Sequence, residues 1–156
     1  MKLTEILRDS NYKLTQFTTD QIENLEKNIF LKEVRGKKVP FINCLVRRKD
    51  IQLKPEEAVR QLYLMVLNEQ YGYSYDRMEI EYAVSFGREK KRADIVIFDK
   101  QDTRSIYIMV ELKKPKLKDG KEQLKSYCNA TGAPIGVWSN GDSISFYHRK
   151  DPTYFE

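Results

Sequence analysis

The sequence predicts an α/β (α+β) fold, a central mixed β-sheet flanked by helices. Three observations predict it. Segments 93–98 and 106–113 are nearly continuous apolar runs, as expected of central strands covered on both faces. Helical periodicity precedes them over 55–70 and follows them over 120–132. The order is helix, three strands, helix, two strands, with short connections between them.

The chain has 156 residues, room for one domain with a substantial core. Lys and Arg number 28 against 23 Asp and Glu, a net charge of +5 that permits a polyanionic partner without demanding one. No apolar run approaches the ~18 residues of a membrane span, and Met1–Asp9 alternates too quickly for a signal peptide. Aromatic residues at 12% argue against disorder. Two cysteines, Cys44 and Cys128, make no disulfide framework, so a cytoplasmic location is expected.

Residues 1–50 read as an N-terminal extension and 51–156 as the body. In the extension, Thr19-Asp20 caps a helix with Ile22, Leu25 and Ile29 at helical spacing. Arg35-Gly36-Lys37-Lys38 then separates Ile29–Val34 from Val39–Arg47, the pattern of a hairpin. The body opens at Lys54-Pro55-Glu56-Glu57, where proline suits a first helical turn and the carboxylates suit the dipole. With Val59 at 0° on a helical wheel, Glu56 falls at about +60°, inside the apolar stripe, and Glu57 near 160°, facing away.

Met78–Phe86 alternates as a strand with one apolar face. A basic turn, Gly87–Arg92, leads to Ala93–Phe98, and Asp99–Ser105 leads to Ile106–Lys113. The second body helix starts near Asp119-Gly120 and ends at Gly132. Pro134–Ser139 and Ser143–His148 are strands joined at Asn140-Gly141, a strong turn signal.

The chemistry gathers on the middle hairpin. If Asp102 and Thr103 are its turn residues, Val96 faces Met109, Asp94 faces Glu111 and Arg92 faces Lys113. Strand alternation puts Glu111 and Lys113 on one face, so two acids and a lysine converge. Carboxylates directly opposite repel, and burying either alone costs several kcal/mol. A divalent cation compensates directly, and Mg2+ takes one or two carboxylates while keeping waters. Such a metal activates water and stabilises charge on a phosphoryl group. Lys113 would position or deprotonate the water or neutralise the pentavalent phosphate, and Glu56 would add an acidic ligand. The alternative is that Lys113 simply neutralises the acids, since E-x-K triplets arise often by chance. Gln123 and Tyr127, four apart on one helix face, suit a nucleic-acid backbone or a core-packed tyrosine beside a solvated glutamine. Lys114, Lys116 and Lys118 leave from the same sheet end as the acids, and Lys121 and Lys125 follow; such a run is ordinarily a solvated face, and its place beside the acids raises the phosphate-binding reading. The single histidine, His148, reads as a strand or surface residue, and there is no Walker A pattern and no zinc site.

Arg92-Ala93-Asp94-Ile95-Val96-Ile97, then Val110-Glu111-Leu112-Lys113-Lys114-Pro115, then Gln123-Leu124-Lys125-Ser126-Tyr127 resemble the PD-(D/E)xK nuclease superfamily. The Gln-x-x-x-Tyr element looks like its RecB-like branch. With Pro55–Gln61 and Gly136–Gly141, the chain resembles more specifically the N-terminal nuclease domain of type I restriction enzyme R subunits, over roughly Lys54 to Arg149. The resemblance implies a restriction-endonuclease-like core and a metal-dependent DNA endonuclease using Mg2+, with Mn2+ as a substitute. Carried over by position, Asp94 and Glu111 are metal ligands, with Glu56 as helix acid and the Leu112 carbonyl completing the shell. Lys113 is the catalytic lysine. Gln123 and Tyr127 contact DNA or orient the lysine, and Arg92, Lys114, Lys116 and Lys125 supply phosphate contacts. The resemblance leaves Glu56 against Glu57 open, and Ala93 stands where the motif has proline. It also implies a helicase motor, methylase and specificity subunits as partners, and this chain as an N-terminal piece of a longer protein. The competing expectation is a catalytically silent module that docks DNA or a partner subunit.

Overall fold

A computed structural model describes residues 1–151 and 154–155. The chain forms two compact units, Met1–Tyr75 and Asp76–Glu156.

The first unit contains α1 (Leu3–Ile6), α2 (Thr19–Lys27), the strands β1 (Phe30–Val34), β2 (Lys37–Asn43) and β3 (Asp50–Gln52), and α3 (Pro55–Glu69). Its sheet is antiparallel in the order β1-β2-β3. Thr18, rather than Asp20, caps α2. Its hydroxyl accepts from the Gln21 amide at 3.1 Å, and the Gln21 side chain accepts from the Thr18 amide at 2.9 Å. That reciprocal pair satisfies two amides at once, which a lone aspartate further into the first turn does not. The expected boundary at residue 50 does not separate the units. Ala58, Val59, Leu62 and Met65 of α3 pack with Leu3, Leu7, Phe17, Leu25 and Ile42, so α3 completes the N-terminal core.

The second unit contains β4 (Met78–Phe86), β5 (Glu89–Phe98), β6 (Ile106–Leu112), α4 (Lys121–Thr131), β7 (Ile135–Ser139), β8 (Ile144–Asp151) and β9 (Tyr154–Phe155). The strands follow chain order, β4 to β9, in one mixed sheet. Only the β6–β7 pairing is parallel among the described strands, and α4 makes the crossover that a parallel pair requires. The expected mixed α/β architecture is therefore present. Ile95, Val96 and Ile97 are all fully buried, as the continuous apolar run required.

Two connections differ from expectation. Phe86 pairs with Glu89, so the first turn is only Gly87-Arg88, and Lys90, Lys91 and Arg92 belong to β5. The second connection is longer than a two-residue turn. A register shift at Ile97/Phe98 precedes a loop closed by the Asp99 amide donating to the Ser105 carbonyl at 2.8 Å. Asp99 Oδ1 accepts from the Gln101 and Asp102 amides, a local alternative to continuing the ladder.

The core of this unit lies between α4 and the sheet: Val96, Met109, Leu124, Tyr127, Cys128 and Trp138. Gly136 lets α4 approach β7 closely, since a Cβ there would sit 3.2 Å from Cys128 Sγ and 3.3 Å from Leu124 Cγ. Gly136→Val should therefore overpack this contact and cost about 1–3 kcal/mol. A thermal midpoint lowered by several degrees would show it, and an unchanged midpoint would mean that α4 has room to spare.

Candidate active site

The register of β5 against β6 builds the site. Ile95 faces Val110 and Val96 faces Met109, so the next rung sets Asp94 against Glu111, as the sequence led us to expect. The Leu112 amide donates to Asp94 Oδ2 at 2.8 Å, which fixes the aspartate against the end of β6. This amide contact is the described link between Leu112 and the acids. Glu111 is 4% exposed, and its Oε1 meets no donor. Lys113 Nζ lies 3.9 Å from Glu111 Oε2, with its side chain 25% exposed. Burial, and then the charge of Asp94, push the Glu111 carboxyl up to about 8, against the opposing pull of Lys113.

Lys113 follows β6 directly, and its backbone and the loop after it are tied to β7 and the turn beyond. Its amide donates to the Ser139 carbonyl at 2.8 Å, which ties it to the end of β7. Trp138, fully buried on the rung beside Glu111, donates from Nε1 to the Asp119 carbonyl at 2.9 Å. Asn140, also buried, donates from Nδ2 to the Leu117 carbonyl at 2.6 Å, while its Oδ1 accepts from the Asp142 and Ser143 amides. The loop from Lys113 to Gly120 is thus pinned to the β7–β8 turn. Gly120, at φ +90°, lies against the lysine itself: a Cβ there would come within 2.5 Å of Lys113 Cε. Sequence reasoning reads Trp138 as strand, Asn140 as turn and Gly120 as the start of a helix capped by Asp119, whereas Gly120 itself is the N-cap. Asn140-Gly141 is visible as a turn signal, but nothing in one dimension shows that the turn grips a loop more than twenty residues earlier.

Glu81 is a second unforeseen feature. Ile80 faces Ile95 and Tyr82 faces Ala93, so Glu81 shares the rung of Asp94. Its φ is +51°, a left-handed conformation in mid-strand that costs a glutamate free energy. Its carboxylate lies 3.8 Å from Arg92.

The other expected site residues are distributed as follows. Arg92 lies in β5 with its side chain 72% exposed, and Lys114 and Lys116 are exposed on the loop after Lys113. Lys125 is engaged with Glu122 at 3.3 Å and stands over the Tyr147 ring at 4.7 Å. Gln123 is half-buried on α4. Tyr127 is 3% exposed within the core, the core-packed arrangement that the sequence left open beside contact with DNA. Burial raises its phenol to about 12, with further contributions from Glu111, Glu89 and Asp94. Burial likewise raises the Cys128 thiol to about 12, which makes it an inert core residue rather than a nucleophile.

Glu56 stands on the first turn of α3, in the first unit, and is exposed. The wheel places it inward and Glu57 outward; the structure reverses them. Glu57 is half-buried because Arg60 grips it through two hydrogen bonds of 2.8 and 2.7 Å and the buried Gln61 approaches at 3.3 Å. A buried polar network, which an apolar wheel ignores, decides the helix's rotation here. Among the described residues, no group of three or more His, Cys, Asp or Glu side chains is gathered closely enough to hold a metal ion. The acidic group at the sheet is a pair.

The model of the type I restriction enzyme R protein N terminus matches residues 55–156, more than half of the chain. The chain belongs to that family. No curated protein matches it. The family segment begins at Pro55 and takes in α3 and the whole second unit, so Asp94, Glu111, Lys113, Gln123 and Tyr127 all lie within it, whereas α1 to β3 do not. A restriction-related role follows from membership. No helix among the described residues is long and apolar enough to cross a membrane.

The folded chain holds the Glu111 proton to about pH 8, whereas an ordinary glutamate releases it near 4.5. The residue's contribution to stability is therefore full below pH 4.5 and is lost as the pH rises through 8. Glu111→Gln removes that loss. In metal-free buffer the variant should exceed the parent chain in stability at pH 8.5, by on the order of a few kcal/mol, and the gap should narrow at pH 5. Denaturant titration at the two pH values measures it, and a gap independent of pH would contradict the assignment.

Proposed function

We propose that the chain is a Mg2+-dependent DNA endonuclease domain of the PD-(D/E)xK type, hydrolysing phosphodiester bonds within a restriction system, with Mn2+ able to substitute. One observation carries the reading: a nearly inaccessible carboxylate, Glu111, stands across from a second carboxylate and keeps an oxygen that no donor meets. Such an arrangement subtracts from stability once Glu111 ionises, and a cation held between the two acids would offset that cost. The donor set fits a hard divalent cation, because it consists of carboxylate oxygens. Asp94 and Glu111 would hold it, with the Leu112 carbonyl as a further ligand. When bound, the cation supplies Lewis-acid polarisation of a phosphoryl oxygen and a more acidic water.

The chain's own groups do the rest. Hydrolysis joins a water oxygen to phosphorus and breaks one P–O ester bond, with one proton leaving the water and one reaching the departing alkoxide. The Leu112 amide holds Asp94 in one orientation. Lys113, pinned by the β7 end, presents an ammonium beside Glu111, where it donates hydrogen bonds to the phosphate oxygens as their charge grows. Arg92, Lys114 and Lys116 are exposed cations on the same two strands or the following loop, suited to neighbouring phosphates. Gln123 is the α4 residue we assign to the strand being cut. The partners we infer are DNA and the motor, methylase and specificity subunits of a cytoplasmic restriction complex.

Calorimetry should detect Mg2+ or Mn2+ binding that Asp94→Ala abolishes and Lys113→Ala retains. Plasmid nicking should disappear with Asp94→Ala and fall by at least about 100-fold with Lys113→Ala. A chain that binds neither metal would refute the reading. Gly120→Ala should push Lys113 aside and lower cleavage in the same direction, yet add little in a Lys113→Ala background. Full additivity of the two substitutions would show that Gly120 acts on the fold rather than through the lysine.

A further inference from the structure

The β1–β2 hairpin lies outside the family segment and has no part in the site described above. It begins the chain's small antiparallel sheet, and β1, the edge strand, is exposed along its whole length. The strands join through Arg35-Gly36, with φ of +52° and +79° and Val34 paired to Lys37. That is a two-residue primed turn, whose twist keeps the two strands together as a ribbon. A Cβ at Gly36 would meet nothing within 4 Å, so the turn has open space at its tip.

The charge on this ribbon is one-sided. Between Phe30 and Asn43 there are four basic residues, Lys32, Arg35, Lys37 and Lys38, and one acid, Glu33. The pairing of Lys32 with Val39, Val34 with Lys37 and Phe30 with Phe41 places Lys32 and Lys37 on one face with Phe30, Val34 and Phe41. Glu33 and Lys38 share a rung on the opposite face, which is that of the fully buried Ile42. The face turned from the core thus carries both lysines among Phe30, Val34, Val39 and Phe41, with no acid, and Lys32 Nζ lies 5.2 Å from the Phe41 centroid.

An edge strand with Leu31 53% exposed invites a partner. A second copy pairing about the strand centre would set Lys32 against its own counterpart, like charge on like. An anionic partner suits the surface instead, and a two-stranded ribbon matches the width of the DNA major groove. We propose that the β1–β2 hairpin is a second duplex-DNA contact, in which Lys32, Arg35 and Lys37 grip phosphates while the ribbon lies in the groove. This inference takes its ligand from the nuclease reading. It locates part of the DNA-binding surface in the N-terminal unit.

The test uses the full chain carrying Asp94→Ala, so that nothing is cut, and fluorescence anisotropy with a short labelled duplex. Lys32→Gln/Arg35→Gln/Lys37→Gln should weaken binding at least tenfold. It should also lower the slope of log affinity against log salt by about 2.7, at about 0.9 for each phosphate that the chain ceases to neutralise. Removing three exposed cations elsewhere, with Arg8→Gln/Lys27→Gln/Lys100→Gln, should leave both quantities nearly unchanged. Equal weakening by the two triple variants would overturn the proposal, since net charge alone would explain it. Displacement of the duplex by poly-glutamate of the same total charge would also overturn it, in favour of an acidic protein partner. Unchanged thermal midpoints in the variants exclude misfolding as the cause. If the hairpin variant binds normally while the parent chain still nicks plasmid, the hairpin proposal fails and the nuclease reading stands. If the parent chain binds no metal but the hairpin still governs duplex binding, the reverse holds.

Discussion

Everything at the sheet depends on two carboxylates being held face to face where water is scarce. Asp94 and Glu111 come together because β5 and β6 lock into register through Ile95, Val96, Met109 and Val110, and both acids follow directly on that pairing. A slip of one residue would turn each acid to the opposite side of the sheet and bring apolar groups out with it. The hydrophobic core therefore enforces the repulsion: the free energy gained by burying the isoleucines and valines exceeds what the acid pair costs. The energetic penalty and the chemical potential of the site have the same origin.

Lys113 is held by a different kind of constraint. It lies beyond the last residue of β6, where ladder hydrogen bonds no longer position a side chain. Its place comes from the parallel neighbour strand and the turn after it, through the Ser139 carbonyl, the Trp138 indole and the Asn140 amide. Gly120 completes the arrangement by having no side chain. The acids are placed by packing, with one backbone amide orienting Asp94, and the lysine by the hydrogen bonds of its loop, so the two halves of the site should respond differently to substitution nearby.

Much of this is legible in the sequence. Continuous apolar runs identify the central strands, and alternate spacing places Asp94 opposite Glu111 even though the turn assumed for that hairpin is wrong. The bulge at Ile97/Phe98 absorbs the extra loop length, so the register survives the error. The rotation of α3 is not legible. A wheel built on apolar positions sends Glu57 outward, but Arg60 and buried Gln61 draw it in. The left-handed backbone at Glu81 leaves no trace in the alternation of its strand. The grip of Trp138 and Asn140 on the lysine loop is hidden because it joins segments distant along the chain. The packing of α3 on residues that look like a mere lead is likewise invisible in one dimension.

The crossover from β6 through α4 to β7 has a consequence for the order of events during synthesis. A nascent chain emerging as far as Leu117 already contains Asp94, Glu111 and Lys113, and its β4–β6 meander is free to pair by local contacts. The residues that secure the lysine, Trp138 to Asn140, come about twenty residues later and must return across a helix to dock in parallel beside β6. Half-made protein would thus present the acids without a fixed lysine. The complete constellation therefore needs β7 as well as the hairpin that carries the acids.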